Sequence, residues 1–113
     1  MQYALLIYND GDTGEQGRGA IAPSIAAVLT RPEVTGWIRL GAAGSATTVR
    51  PSEGGTLLTD GPFVDSKEFL AGLVVIEAGN LDDALAIADE LQESRPGRTG
   101  AIEVRPIFDA SGT

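Results

Sequence analysis

The chain has 113 residues, a length that suits one domain and leaves no room for two. It carries 16 acidic against 8 basic residues, a net charge of -8, which argues against nucleic acid and anionic membranes as partners because both require a basic patch. It has no cysteine and no histidine, which excludes disulfides, thiolate zinc sites and any catalytic arrangement that needs either residue. No segment reaches the ~18 consecutive apolar residues of a membrane span, and no secretory signal is visible, so we expect a cytoplasmic protein.

The first half of the chain predicts a central strand followed by a helix. Residues 3–8 place Tyr3, Leu5 and Ile7 on one side and Ala4, Leu6 and Tyr8 on the other, a pattern typical of a strand covered on both faces. Residues 20–29 predict a helix, with Pro23 in its first turn and Pro32 beyond its end. Residues 33–43 are ambiguous, although we expect Trp37, Ile38 and Leu40 to be buried.

The second half predicts a hairpin, a long strand, a helix and a last strand. Residues 45–50 and 56–59 form the hairpin, and Asp65 to Glu68 resembles a capping box that starts one helical turn. Residues 70–78 form the long strand, and Asn80 caps a helix that runs to about Glu93. The expected buried stripe of this helix is Leu81, Ala84, Leu85, Ala88 and Leu91. Residues 101–107 form the last strand, so the domain spans 1–108 and leaves 109–113 as a frayed tail.

This order of elements predicts an α+β fold with two helices on one face of a mainly antiparallel, four-stranded sheet. That is the ferredoxin-like βαββαβ arrangement, with the hairpin at 45–59 as an addition. Leu6, Tyr8, Val74 and Ile76 indicate that the other face of the sheet is also apolar. A second copy of the chain is the simplest cover for such a face, so we expect a homodimer.

The segment Asp60-Gly61-Pro62-Phe63 is the most specific local signal. Its residue types favour a structural corner, in which Asp60 accepts bonds from backbone N–H groups across the turn. Alternatively, the corner holds the Asp60 carboxylate at the mouth of a pocket as a general base. Backbone bonds to that carboxylate would position it but would also lower its pKa and weaken it as a base.

A second group of polar residues consists of Arg50, at the end of a strand, and Glu103 with Arg105 on the last strand. Glu103 and Arg105 share one side of their strand, where they form either a surface ion pair or part of an anion clamp. The acids of the first loop do not match a calcium loop, and its glycines match no nucleotide-binding motif. We therefore predict no metal and no cofactor.

With these residues in view, the chain resembles a known family. Residues 60–68, Asp-Gly-Pro-Phe-Val-Asp-Ser-Lys-Glu, resemble the signature of the DGPF proteins, a branch of the YCII-related family. The similarity extends in order from residue 2 to about 107. The supporting segments are the opening strand ending in Ile7-Tyr8, the Thr-Val-Arg strand at 48–50, Leu70-Ala71-Gly72, the helix start at Asn80-Leu81-Asp82-Asp83-Ala84, and the closing strand at 102–107.

The resemblance implies a ferredoxin-like fold paired into a dimeric α+β barrel, with a cleft in each subunit near Tyr8, Arg50, Asp60 and Arg105. Some YCII-related relatives look as if they use a His-Asp pair, and one acts as a dehydrochlorinase on a chlorinated aromatic. DGPF proteins also occur alongside extracytoplasmic-function sigma factors. This chain has no histidine, so the His-Asp mechanism is excluded here.

Three hypotheses for function follow. In the first, a homodimer binds a small anionic or polar aromatic molecule through Tyr8, Arg50, Glu103, Arg105 and Lys67, with Asp60 receiving a donor. In the second, the chain is a lyase or proton-transfer enzyme that needs no cofactor and uses Asp60 as its base. In the third, it is a regulatory or stress-response protein that acts with a sigma factor or another protein and has no small-molecule site.

Overall fold

The computed structural model describes residues 1–10, 19–64, 68–96 and 100–111. The strands are β1 (Gln2–Asp10), β2 (Val34–Arg39), β3 (Thr47–Ser52), β4 (Gly55–Asp60), β5 (Glu68–Glu77) and β6 (Ile102–Pro106). The helices are α1 (Pro23–Leu29) and α2 (Leu81–Ser94), and a 3₁₀ turn spans Ala43–Ser45. Among these described residues, no helix is of the length and apolarity that crossing a membrane requires.

β1 lies inside a four-stranded antiparallel sheet of order β2-β5-β1-β6, as its two apolar faces predicted. This order agrees with a ferredoxin-like arrangement, with both helices on one face. β3 and β4 pair only with each other and form the predicted hairpin, inserted between β2 and β5. Gly54 closes its turn with φ of 82°, a conformation that favours glycine.

The core lies between the helices and the inner face of the sheet, the face that the helices cover. Leu5 and Ile76 of the sheet and Leu91 of α2 are at most 1% exposed. The pairing of Leu5 with Val74 and of Tyr3 with Ile76 puts all four residues on this inner face. The expectation that Val74 and Ile76 lie on the opposite face is therefore wrong. β5 is apolar at nearly every position, so alternation alone did not identify which set faces the helices.

The outer face of the sheet carries the other set of side chains. Leu6 pairs with Leu73, Ala4 pairs with Val75, and Ile38 lies beside Leu73 on the edge strand β2. These residues are partly or fully exposed, and Ile38 is 54% exposed. The prediction of a second apolar face is confirmed, with Leu73 and Val75 in place of Val74 and Ile76.

β2 is the strand that the sequence left ambiguous. Its β-branched and aromatic residues suit an extended edge strand, but that position leaves Trp37 44% exposed and Leu40 36% exposed. The expectation that Trp37, Ile38 and Leu40 are buried is therefore wrong. Thr35 is an extra residue in the pairing of β2 with β5, and its hydroxyl donates to the Val75 carbonyl over 3.3 Å.

α2 begins where the sequence predicted, whereas α1 begins at Pro23 and not at residue 20. Pro23 occupies the first turn of α1, and the Asn80 side chain accepts the Asp83 N–H over 2.9 Å to cap α2. Ala84, Ile87, Ala88 and Leu91 are buried, whereas Leu81 and Leu85 are 48% and 44% exposed, so their place in the stripe is wrong.

The predicted helical turn at 65–68 is not supported at its last residue. Residues 65–67 lie outside the described residues, and Glu68 is the first residue of β5. At the C-terminal end, residues 109–111 belong to no helix or strand.

Candidate functional site

Two cavities lie on opposite sides of the sheet near the end of β1. The first, here called the outer cleft, is an open depression of about 810 Å³ between the outer face, the 3₁₀ turn and the Asp60 corner. The second, here called the inner pocket, has a volume of about 270 Å³ and lies between the inner face, α1 and the C-terminal end of α2. Each holds a different set of polar side chains.

The outer cleft contains two of the predicted site residues. Tyr8 and Glu103 line it together with Phe63, Glu68, Phe69 and Leu70. The Tyr8 hydroxyl donates to a Glu103 carboxylate oxygen over 3.4 Å. This contact exists because β1 pairs with β6 and places Leu6 opposite Glu103. Tyr8 lies two residues after Leu6, so its side chain is on the same face of the sheet.

The electrostatics of this cleft favour a protonated tyrosine. Burial, and then the neighbouring Glu103 carboxylate, raise the pKa of Tyr8 above its usual value of 10, whereas Arg105 acts in the opposite direction. At neutral pH, Tyr8 therefore offers a hydroxyl donor, and Glu103 offers a carboxylate acceptor. The two acids of the lining, Glu68 and Glu103, make the cleft poorly suited to an anion.

The two predicted arginines lie beside this cleft and do not line it. Arg105 follows Glu103 on the same face of β6, opposite Ala4, and the two form no ion pair within the described residues. The guanidinium of Arg50 stands 5.0 Å from the centre of the Phe63 ring, a cation–π distance. Lys67 lies outside the described residues.

The Asp60 corner is built from the backbone of Gly61. The Gly61 N–H donates to the Ala46 carbonyl over 2.7 Å, and its carbonyl accepts the Thr48 hydroxyl over 2.8 Å. Gly61 has φ of 91°, which a residue with a side chain rarely adopts. Asp60 itself is exposed at the end of β4, and no backbone N–H of the described residues bonds to its carboxylate. Asp60 does not line either cavity.

The inner pocket holds residues that the sequence reasoning missed. Its wall is mainly apolar, and its polar side chains include Asn9, Arg39 and Arg95. Arg39 belongs to β2, two residues after Trp37, and its Nη1 donates to the Gly19 carbonyl over 3.0 Å. The main apolar contributors to this lining are Ile7, Ile25, Leu29, Trp37, Val74 and Leu91.

Arg95 ends α2 and ties it to the end of β1. Its Nη2 donates to the Tyr8 carbonyl over 2.9 Å and to Asn9 Oδ1 over 2.8 Å, and its Nη1 donates to Gln92 Oε1 over 2.8 Å. Burial lowers the pKa of the Arg95 guanidinium below its ordinary value. A cation at the end of a helix is a recognisable sequence signal, because the last carbonyls favour positive charge.

Comparison with known proteins identifies the family. A family model described as the YCII-related domain matches residues 1–111. The chain belongs to the YCII-related domain family. It is also 35% identical to an uncharacterised protein of Rhizobium meliloti (strain 1021) over 115 residues, an alignment that covers 95% of this chain and 92% of the relative. The resemblance to the YCII-related family is therefore confirmed.

Proposed function

We propose that this YCII-related domain acts as a homodimer that binds a small, uncharged, polar aromatic molecule in the outer cleft. The observation that carries the proposal is the apolar outer face, which reaches the edge of a cleft containing the Tyr8–Glu103 hydrogen bond. Leu6, Leu73 and Val75 form the centre of that face, and neither helix covers them. A second copy placed on this face would shield the apolar residues and give the open cleft another wall.

The chemistry of the cleft supports a neutral guest over an anion. Tyr8 supplies a donor, Glu103 supplies an acceptor, and Phe63 and Phe69 supply aromatic surface. A phenol or an aromatic amide can satisfy both polar groups while its ring contacts the aromatic side chains. Asp60 lies outside the lining, so the proposal is binding rather than proton abstraction by Asp60.

Substitution on the outer face tests the dimer. Leu73→Glu places a charge at the centre of that face, so we expect light scattering to report a dimer for the natural protein and a folded monomer for the variant. Leu85→Glu is the matched control, because Leu85 is a 44% exposed leucine on α2, away from the outer face. The proposal would be wrong if the natural protein were a monomer at micromolar concentration, or if both variants behaved alike.

A thermal-shift series tests the cleft. Phenol, catechol and benzamide should raise the melting temperature, since a ligand stabilises the folded state that it binds. Tyr8→Phe should weaken binding by roughly two- to tenfold, the value of one neutral hydrogen bond, and Glu103→Gln should weaken it as well. Tyr3→Phe, which alters the other tyrosine on the inner face, serves as the control. Equal effects of Tyr8→Phe and Tyr3→Phe would contradict the assignment.

A further inference from the structure

The inner pocket contains positive charge, which the acidic composition of the chain does not predict. The protein has two acidic residues for every basic one, yet the described residues that line this pocket include Arg39 and Arg95 and no aspartate or glutamate. Arg31, by contrast, is paired with Glu33 and Glu90. The inner pocket is therefore a locally positive cavity in an acidic molecule.

The hydrogen bonds of the two guanidinium groups leave their charge uncompensated. A guanidinium has five N–H donors. Within the described residues, Arg95 donates three hydrogen bonds and Arg39 donates one, and every acceptor is a neutral carbonyl or amide oxygen. Arg95 is partly buried without a counter-charge, which is unfavourable for a cation, so an anion that enters the pocket gains charge-assisted hydrogen bonds from Arg95 and from the exposed Arg39.

The apolar residues of the lining indicate that the ligand also has an apolar part. Ile25 and Leu29 of α1 face Val74 of the sheet, Leu91 closes the side towards α2, and Trp37 offers an indole surface. Hydrated inorganic phosphate would leave these apolar walls without a partner. A guest with a compact apolar body and one anionic end matches both parts of the lining. The volume of about 270 Å³ lies just below the usual range for ligand pockets, which limits the guest to a small molecule.

We propose that the inner pocket binds a small monocarboxylate with an apolar body, whose carboxylate is held by Arg39 and Arg95 and whose body lies against Trp37. This site is distinct from the outer cleft, because it lies on the other side of the sheet and selects an anion, whereas the outer cleft selects a neutral molecule. Binding at this site requires no second copy of the chain, so this proposal does not depend on the dimer.

The only tryptophan of the chain gives a direct probe, because Trp37 lines the pocket. Titration of the full chain with sodium benzoate should change the Trp37 emission and raise the melting temperature in parallel. Benzyl alcohol, which has a similar body and no charge, should bind at least about tenfold more weakly, since a hydrogen bond between charged groups is worth that factor or more. Inorganic phosphate should also bind more weakly than benzoate.

Arg39→Gln is the decisive variant, because Arg39 is exposed and its only hydrogen bond within the described residues goes to the Gly19 carbonyl. It should weaken benzoate binding by about tenfold. Arg31→Gln removes the same charge from outside the lining and should leave benzoate binding unchanged. Arg95→Lys should also weaken binding. Because Arg95 holds the end of β1, this variant can also lose binding by unfolding. Arg39→Gln does not remove that contact, so its effect on binding is interpretable.

Three results would overturn the proposal. One is the absence of any response to benzoate, phenylacetate or hexanoate at millimolar concentration. Another is equal binding of benzoate and benzyl alcohol, because the arginines would then not recognise charge. The third is an Arg39→Gln variant that binds benzoate as well as Arg31→Gln does. None of these results bears on light scattering of the natural protein, so failure here is distinguishable from failure of the dimer.

Discussion

Gly100 has the least space for a side chain among the glycines that the structure describes. A Cβ atom built at this position would lie 1.7 Å from the carbonyl oxygen of Tyr8, which is backbone and cannot rotate away. The same oxygen accepts the hydrogen bond from Arg95. Glycine is therefore required here because β1 and the start of β6 approach closely, and positive φ is not the reason.

We expect Gly100→Ala to lower the free energy of unfolding by about 3 kcal/mol or more, because the main chain of β1 must shift to admit the methyl group. Urea denaturation measures the change. Gly36→Ala is the control, since a Cβ there meets nothing within 4 Å and Gly36 lies in the edge strand β2. Similar stabilities of the two variants would contradict this account of Gly100.

Tyr8 gives a prediction about pH. Burial and Glu103 raise the pKa of the Tyr8 phenol in the folded state, so the folded protein holds the proton more tightly than the unfolded chain. This contribution to stability is fully present below about pH 10 and is lost as the pH rises through the folded pKa. Ultraviolet titration should show Tyr8 ionising above its ordinary value, and Glu103→Gln should move it back. An unchanged titration in Glu103→Gln would be inconsistent with the observed hydrogen bond.

At the scale of elements, α2 illustrates a helix whose start is set by one side chain. Asn80 accepts the Asp83 N–H, and Asp82 and Asp83 lie in the first turn, where the helix dipole favours anions. The helix matters for the inner pocket because its last turns supply Leu91 and Arg95. Its N-terminal end instead carries the exposed leucines, Leu81 and Leu85.

Asn80→Ala should reduce the free energy of unfolding by about 1 kcal/mol, the usual value of an N-cap. Asn80→Asp should stay within a few tenths of the natural protein, because aspartate accepts the same bond. Urea denaturation again provides the measurement. If the alanine and aspartate variants were equally destabilised, the cap would not be the source of the effect.

The hairpin of β3 and β4 is an element that stands apart from the main sheet. Val49, Leu57 and Leu58 are each more than half exposed, although they are typical strand residues. An isolated two-stranded hairpin is only marginally stable in water. Its base is secured by Gly61, which bonds to Ala46 and Thr48, and Phe63 beyond it meets the guanidinium of Arg50.

For the whole molecule, the sequence predicted the features that depend on local chemistry. Two apolar faces located β1 in the sheet interior, Asn80 located the start of α2, and the glycines at 54 and 55 located the hairpin turn. The start of α1 was predicted at residue 20 and lies at Pro23. The family was recognised from the Asp60 corner and the segments around it, and the match to the YCII-related domain agrees. These signals operate over a few residues, so they survive without knowledge of the packing.

What the sequence could not predict depends on packing between distant segments. Arg39 and Arg95 line one pocket because the Arg39 position of β2 belongs to the sheet face that the end of α2 covers. The side chains of β5 were assigned to the wrong faces because both of its faces are apolar. The register shift between Ile7 and Tyr8, where Ala71 is an extra residue in β5, is likewise invisible in the sequence pattern.

Tyr8 lines the outer cleft and also contacts a residue of the inner pocket, since its hydroxyl donates to Glu103 while its carbonyl oxygen accepts from Arg95. A ligand that moved the Arg95 guanidinium away from that carbonyl would remove one of the bonds that fix the backbone of Tyr8. Thermodynamic linkage would make such a coupling mutual: a ligand of one cavity that changed the affinity of the other would have its own affinity changed by the same factor. Because the sheet is a single layer, one aromatic residue thus forms hydrogen bonds on both of its sides.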